Sequence, residues 1–241
     1  MGTPLGSGFY STGEPVAWAH RDAGDVLDFA AHRHFGAAAE AEKVDFMFCG
    51  ETLSLPEAGG EVVEAHSAGW FDSLTMYSAL AAVTSKVGLM ATVNTSYYDP
   101  YEPARQYASL DAISGGRGGC NLVTSAAPGT AANFTAGEVP RAERYPRATE
   151  FTDLLKRLWG SGPDGVSVHG QFFDVRTDAG LPPSPQGHPV LMQAGESPAG
   201  RDFAASGAAL VFTGFESVER DSRSTPTSSS GSPRVGATRR R

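Results

Sequence analysis

Residues 91–125, ATVNTSYYDPYEPARQYASLDAISGGRGGCNLVTS, run from a strand through a helix and a glycine-rich turn into a second strand without interruption. Residues 87–93 form a short apolar run rich in β-branched side chains, which suits a buried strand. Pro100 and Pro103 fall where a first helical turn tolerates proline. Tyr107, Leu110 and Ile113 then recur at helical spacing, and Gly115-Gly116 offers the left-handed conformation that stops a helix. Residues 121–124 resume as a strand with polar side chains at its end. Together these make one βαβ unit, and α/β folds bind ligands at the C-terminal ends of parallel strands. The pattern places the chemistry near Asn94, Thr95, Thr124 and Ser125.

The alternation extends in both directions. Upstream, residues 26–41 read as a helix, 44–50 (VDFMFCG) as a strand, and 70–86 as a helix with Leu74, Tyr77, Ala81 and Thr84 on one face. Downstream, residues 126–141 form a loop too long for a plain connector, and long loops in compact domains are often functional. Residues 147–159 carry the clearest helical stripe: Ala148, Phe151, Leu154, Leu155 and Leu158. A glycine-rich stretch, 160–170, leads to a hairpin arm at 171–176. Residues 189–193 read as a strand, 198–206 as a helix and 209–215 as a further strand. Repeated βα units with apolar strands predict a parallel sheet.

Composition sets outer limits. A chain of 241 residues with 40% hydrophobic content can bury one sizeable core, and an α/β barrel takes roughly 250 residues. The net charge of −8 argues against nucleic-acid or anionic-membrane partners. No apolar run approaches the roughly 20 residues of a membrane span, and the first residues lack a basic-then-apolar leader, so a cytoplasmic location is expected. Cys49 and Cys120 lie inside strands and read as buried free thiols. The six histidines show no metal-ligand spacing and read mostly as surface residues. Glycines 115, 116, 118 and 119 follow a helix rather than open one, which argues against a dinucleotide fingerprint, and Ser125 lacks the GxSxG elbow of an α/β-hydrolase.

Three blocks in order, YEPARQYASLDAISGGRGGCNLVTS, AERYPRATEFTDLLKRLWGS and SPQGHPVLMQAGESPAGRDFAA, resemble the bacterial-luciferase-like flavin monooxygenases, closest to the nitrilotriacetate and dibenzothiophene-sulfone monooxygenase group. The resemblance covers about residues 16–215. It selects a TIM-type (β/α)8 barrel over an open doubly wound sheet, with about five to six βα units present. It implies an oxygenase that takes reduced FMN from a separate flavin reductase and uses O2 to oxygenate a small organic substrate, with a homo-oligomer possible. A truncated fragment without catalysis and a deazaflavin-dependent reductase of the same superfamily stand as alternatives.

The cofactor-binding positions implied by the resemblance are Glu51, Asn94, Thr95, Arg141, Tyr145, Gly195 and Ser197. Glu51 stands where relatives carry an aspartate at the end of the second strand. Asn94 and Thr95 end the third. Arg141 occupies the place of a histidine in a His-x-x-x-Tyr pattern completed by Tyr145; a guanidinium there can neutralise phosphate but does not replace the histidine's proton chemistry. Gly195 and Ser197 lie at a strand-to-helix turn, where free backbone N–H groups and a hydroxyl suit a phosphate. Glu196 sits unfavourably beside such an anion. No residue stands out as a general acid or base, and the apolar lining is expected from Phe46, Phe48, Trp70, Tyr97 and Tyr98.

The pattern breaks after residue 219. Residues 220–241, RDSRSTPTSSSGSPRVGATRRR, contain six arginines, six serines and one branched apolar residue. The whole chain has three lysines, at 43, 86 and 156, which suggests a GC-rich coding sequence. The expectation is a barrel domain over 1–219 and a disordered, frameshift-like tail over 220–241.

Overall fold

The structure is a computed structural model that describes residues 6–10, 27–51, 53–54, 57–58, 61–62, 71–125, 129–135, 137–178 and 180–212. The expectation for a tail at 220–241, and Trp70, His20 and His66, lie outside the described residues.

Six strands form one parallel sheet: β1 (Gly6–Tyr10), β2 (Phe46–Gly50), β5 (Gly88–Asn94), β6 (Gly118–Val123), β9 (Val190–Gln193) and β10 (Leu210–Val211). Helices α1 (Phe29–Ala41), α2 (Ser73–Ala81), α3 (Tyr101–Ser114), α4 (Arg144–Gly160) and α5 (Pro198–Gly207) connect them in turn. Two antiparallel hairpins, β3 (Glu57–Ala58) with β4 (Glu61–Val62) and β7 (Val166–His169) with β8 (Asp174–Thr177), interrupt the crossovers. The strands lie in chain order across the sheet. Right-handed crossovers that never reverse direction put every helix on one face, which is the winding of a barrel and not of a doubly wound sheet. The fold is therefore part of a (β/α)8-type barrel.

The two faces of the sheet carry separate apolar clusters. Outward-pointing Met47, Cys49, Leu89, Ala91, Cys120, Leu122 and Leu191 pack against the helices through Tyr77, Leu80, Tyr107, Leu110, Phe151 and Leu155. The concave face holds Phe48, Met90 and Met192, joined by Phe46, Val190, Leu210 and Phe212. Strand alternation produces this division. Cys49 and Cys120 are buried free thiols; burial pushes the Cys49 thiol up to about 12, and holds Cys120 higher still.

The central unit follows its sequence closely. Helix α3 ends on Gly115 (φ 70°) and Gly116 (φ 89°), and the chain turns directly into β6. At Gly118 a Cβ would stand 2.8 Å from the Asp111 backbone, so only glycine permits this approach of strand to helix. Asp111 Oδ1 accepts the Gly118 N–H at 3.0 Å and fixes the entry. Ile113, however, is 63% exposed while Tyr107 and Leu110 are buried, so the apolar stripe ends one turn before its spacing suggests.

Other bounds shift for identifiable reasons. Helix α2 occupies 73–81 rather than 70–86, because the Asp72 carboxylate accepts the Thr75 N–H at 2.7 Å and starts the helix there. Beyond Ala81 the chain turns, held by the Arg117 guanidinium on the Ala81, Thr84 and Val87 carbonyls. The glycine-rich stretch 160–170 contains strand β7, paired with β8, so the expected arm at 171–176 is a turn followed by a strand. The loop at 126–141 contains a short 3-10 helix, Thr130–Asn133. His32 is buried, with Phe71 edge-on to its ring, against the expectation of surface histidines; His34 and His169 are exposed.

Candidate functional site

Two groups of polar side chains meet the C-terminal ends of the strands. The first lies between α4 and α5. Ser197 caps α5, its hydroxyl accepting the Gly200 N–H at 3.1 Å, with Pro198 at the first helical position. The Tyr145 hydroxyl, from the first turn of α4, lies 3.5 Å from Ser197 Oγ. It also fills the space a side chain would need at two glycines: a Cβ on Gly195 or on Gly200 would stand 2.6 Å from it. Gln193, at the end of β9, is buried beside Gly195, and its Oε1 has no hydrogen-bond partner among the described residues. Tyr145, Gly195 and Ser197, singled out in the sequence, thus converge. Arg141 is exposed in the turn before α4.

The second group lines the ends of β2, β5 and β6. Glu51 is held at the start of α2: Ser73 donates its hydroxyl at 3.1 Å and its N–H at 3.4 Å to the carboxylate. Burial pushes the Glu51 carboxyl up to about 7, the nearby Asp72 charge adds to this, and the Ser73 bonds oppose it. The carboxyl thus sits near neutrality, a property the sequence does not reveal because Asp72 and Ser73 are brought to it by the fold. Asn94 donates its side-chain N–H to Ser125 Oγ and accepts the Ser96 N–H at 3.0 Å. Thr95 is fully buried and gives its hydroxyl to the Val123 carbonyl at 3.2 Å. Ser125 takes a left-handed backbone (φ 37°) that a serine adopts at a cost.

Beneath these lies a chain that the sequence left unmarked. Thr92 donates its hydroxyl to the Cys49 carbonyl at 2.5 Å and accepts from Asn121 Nδ2 at 2.9 Å. Inside an apolar run such as residues 118–123, an inward-facing asparagine looks like ordinary strand filling, and only the register with Thr92 exposes the link.

The long loop after β6 crosses over this region. Asn133 donates to the Leu53 carbonyl at 2.5 Å and Thr130 to Ser54 Oγ at 3.1 Å. Phe134 stacks on Tyr97, with centroids 4.7 Å apart, and meets Tyr98 edge-on. Arg147 ties α4 to the end of β5 through a hydrogen bond to the Thr95 carbonyl at 3.3 Å, with its guanidinium 4.1 Å over the Phe173 ring.

The residues present fit a phosphorylated cofactor. Two hydroxyls, Tyr145 and Ser197, stand together at the positive end of α5, where an anion is favoured, and the concave apolar face lies on the other side of the same strand ends. No helix among the described residues is long and apolar enough to cross a membrane.

The model of the luciferase-like monooxygenase family matches residues 8–232. A dibenzothiophene-sulfone monooxygenase of Rhodococcus erythropolis is 34% identical over 238 residues, 86% of this chain and 52% of the relative. The nitrilotriacetate monooxygenase component A of Aminobacter aminovorans is 34% identical over 232 residues, 85% of this chain and 50% of the relative. Among solved structures, a riboflavin lyase crystallised with a modified FMN and riboflavin superposes with a TM-score of 0.82 at 26% identity, covering 93% of this chain and 57% of its own. The chain spans about half the length of the curated relatives it matches.

Proposed function

The chain belongs to the luciferase-like monooxygenase family, a family of flavin-dependent enzymes, and from that premise we propose that it serves an oxygenase that receives reduced FMN from a flavin reductase and uses O2 to oxygenate a small organic substrate. The observation that carries this reading is the convergence of Tyr145 and Ser197 on the start of α5, where Gly195 and Gly200 admit the close approach of the Tyr145 hydroxyl. Bound there, FMN would supply the redox chemistry. The protein's part is to hold and surround it. The α5 N-terminus and the Tyr145 and Ser197 hydroxyls would take the phosphate. Glu51, Asn94 and Thr95, tied into the strand ends by their own hydrogen bonds, would border the ring, and Phe134 with Tyr97 and Tyr98 would keep water from the mouth.

Fluorescence titration of the 241-residue protein with FMN and with riboflavin tests this. If the cradle takes phosphate, FMN binds at least about tenfold more tightly than riboflavin, since charge-assisted hydrogen bonds each contribute about 1.5–3 kcal/mol. Equal affinity for the two, or binding of neither, would overturn the reading.

A further inference from the structure

Strand β8 pairs with β7 along one edge, and its other edge meets no strand among the described residues. The Gly170 N–H donates to the Phe173 carbonyl at 2.9 Å, which fixes the alternation of this antiparallel ladder: pairs 168/175 and 166/177 exchange backbone hydrogen bonds, and pairs 169/174 and 167/176 do not. Asp174 and Arg176 therefore turn their N–H and C=O groups away from β7. Both residues line an open groove of about 550 Å³ whose opposite wall is Asp99, Pro100 and Tyr101 at the start of α3. The groove gives room for an extended strand beside β8.

The edge is held in place before any strand arrives. The Glu150 carboxylate accepts the N–H groups of Gln171, Phe172 and Phe173 at 3.0–3.2 Å, and the Arg147 guanidinium lies over the Phe173 ring, so α4 fixes the hairpin tip. A strand fixed in this way loses little freedom on binding. Along β8 the side chains alternate, with Asp174 and Arg176 exposed on the outer face and Val175 and Thr177 half-buried on the inner one. Asp174 Oδ1 meets His169 Nδ1 at 3.0 Å within its own hairpin, which keeps the carboxylate on that outer face. Edge strands that avoid partners carry repelling charge or proline, whereas the two outer residues of β8 carry opposite charges.

We propose that β8 is the contact edge of a homodimer in which two copies pair antiparallel about a two-fold axis at Val175, joining both hairpins into one sheet. This register sets Asp174 opposite Arg176 of the partner subunit, and Arg176 opposite the partner's Asp174. The paired residues are the ones whose backbone groups point outward, so each pair exchanges two backbone hydrogen bonds and brings opposite charges together on one face. A register two residues to either side would set Asp174 or Arg176 against its own copy, which like charge disfavours. The strand is thus complementary to itself in one register, as a two-fold contact requires. The assignment does not depend on the flavin site.

Sedimentation velocity of the 241-residue protein over a range of concentrations, with two charge reversals and their combination, tests the pairing. The unaltered protein should sediment as a dimer at the upper concentrations. Asp174→Arg and Arg176→Asp should each raise the dimer dissociation constant by at least about tenfold, because each sets like charges opposite one another on both sides of the axis. The double variant Asp174→Arg/Arg176→Asp restores opposite charges across the axis and should recover the dimer to within about threefold of the unaltered protein. That recovery separates the pairing from any damage to the hairpin, which a second substitution would deepen. A protein that stays monomeric throughout, a dimer that neither single reversal weakens, or a loss that the double variant does not restore would overturn the proposal.

Discussion

The Tyr145 hydroxyl lies 3.5 Å from Ser197 Oγ across 52 residues of sequence, and this one approach joins the start of α4 to the start of α5. The contact is exposed and long, so it contributes little to stability on its own. In the proposed site the pair would present two hydroxyls to one anion. Tyr145→Phe should therefore weaken FMN binding by about 0.5–1.5 kcal/mol with no measurable change in melting temperature. Unchanged FMN affinity in a folded variant would remove Tyr145 from the site.

Gly200 tests the same cradle from the other side. A Cβ there would stand 2.6 Å from the Tyr145 hydroxyl and 2.9 Å from the Gly195 backbone, and the backbone cannot swing away as a side-chain end can. Gly200→Ala should displace α5, destabilise the protein by about 1–3 kcal/mol through overpacking, and lower FMN affinity together with stability. Urea unfolding and flavin titration on the same variant measure both.

Glu51 should give the protein a pH-dependent stability. Its folded-state carboxyl is raised to about 7 by burial and by the Asp72 charge, above the ordinary carboxylate value of 4.5. A raised acid keeps its proton longer in the folded state, so the contribution is fully present below about pH 4.5 and is lost as pH rises through 7. Glu51→Gln, which cannot ionise, should flatten that slope, so its stability relative to the unaltered protein should rise between pH 5 and pH 8. Urea midpoints of both proteins at the two pH values decide it; a constant difference would show that Glu51 titrates normally.

Much of this fold is legible in the sequence because the decisive signals are local. Gly115 and Gly116 announce the end of α3, and the structure gives both the positive φ that glycine tolerates. Ser197-Pro198 announces the start of α5 by cap and first-turn chemistry that needs no distant partner. What escapes the sequence depends on partners brought together by folding. Strand β7 lies in a glycine-rich stretch and is specified by pairing with β8. The near-neutral Glu51 depends on Asp72 and Ser73, more than twenty residues away. Asn121 becomes notable only once the register puts it beside Thr92.

Arg117 should be a stability hot spot with no part in binding. Its guanidinium donates to the Ala81, Thr84, Val87 and Ser114 carbonyls and to Thr84 Oγ1, all within 2.8–3.1 Å. These carbonyls belong to the turn after α2 and the end of α3, where helix ends leave backbone acceptors unpaired. A lysine carries three donors on one point and cannot span them. Arg117→Lys should cost about 2–4 kcal/mol in urea unfolding while FMN affinity of the folded fraction stays unchanged.

Phe134 should control how firmly the long loop sits over the strand ends. Its ring stacks on Tyr97 with an 8° interplanar angle and meets Tyr98 at 89°, and hydrogen bonds to Leu53 and Ser54 add to the ties of the described part of the loop. Aromatic pairs of this kind contribute about 0.5–1.5 kcal/mol each beyond burial, comparable to the whole free energy that keeps a short surface loop docked. Phe134→Ala should therefore raise amide hydrogen exchange across 129–135 by about tenfold and leave exchange in β5 and β6 unchanged, because those strands are held by their own ladder. If the loop shields the flavin, the same variant should also quicken quenching of bound FMN fluorescence by iodide. Faster loop exchange with unchanged quenching would keep Phe134 as a loop anchor but deny the loop a role in excluding solvent.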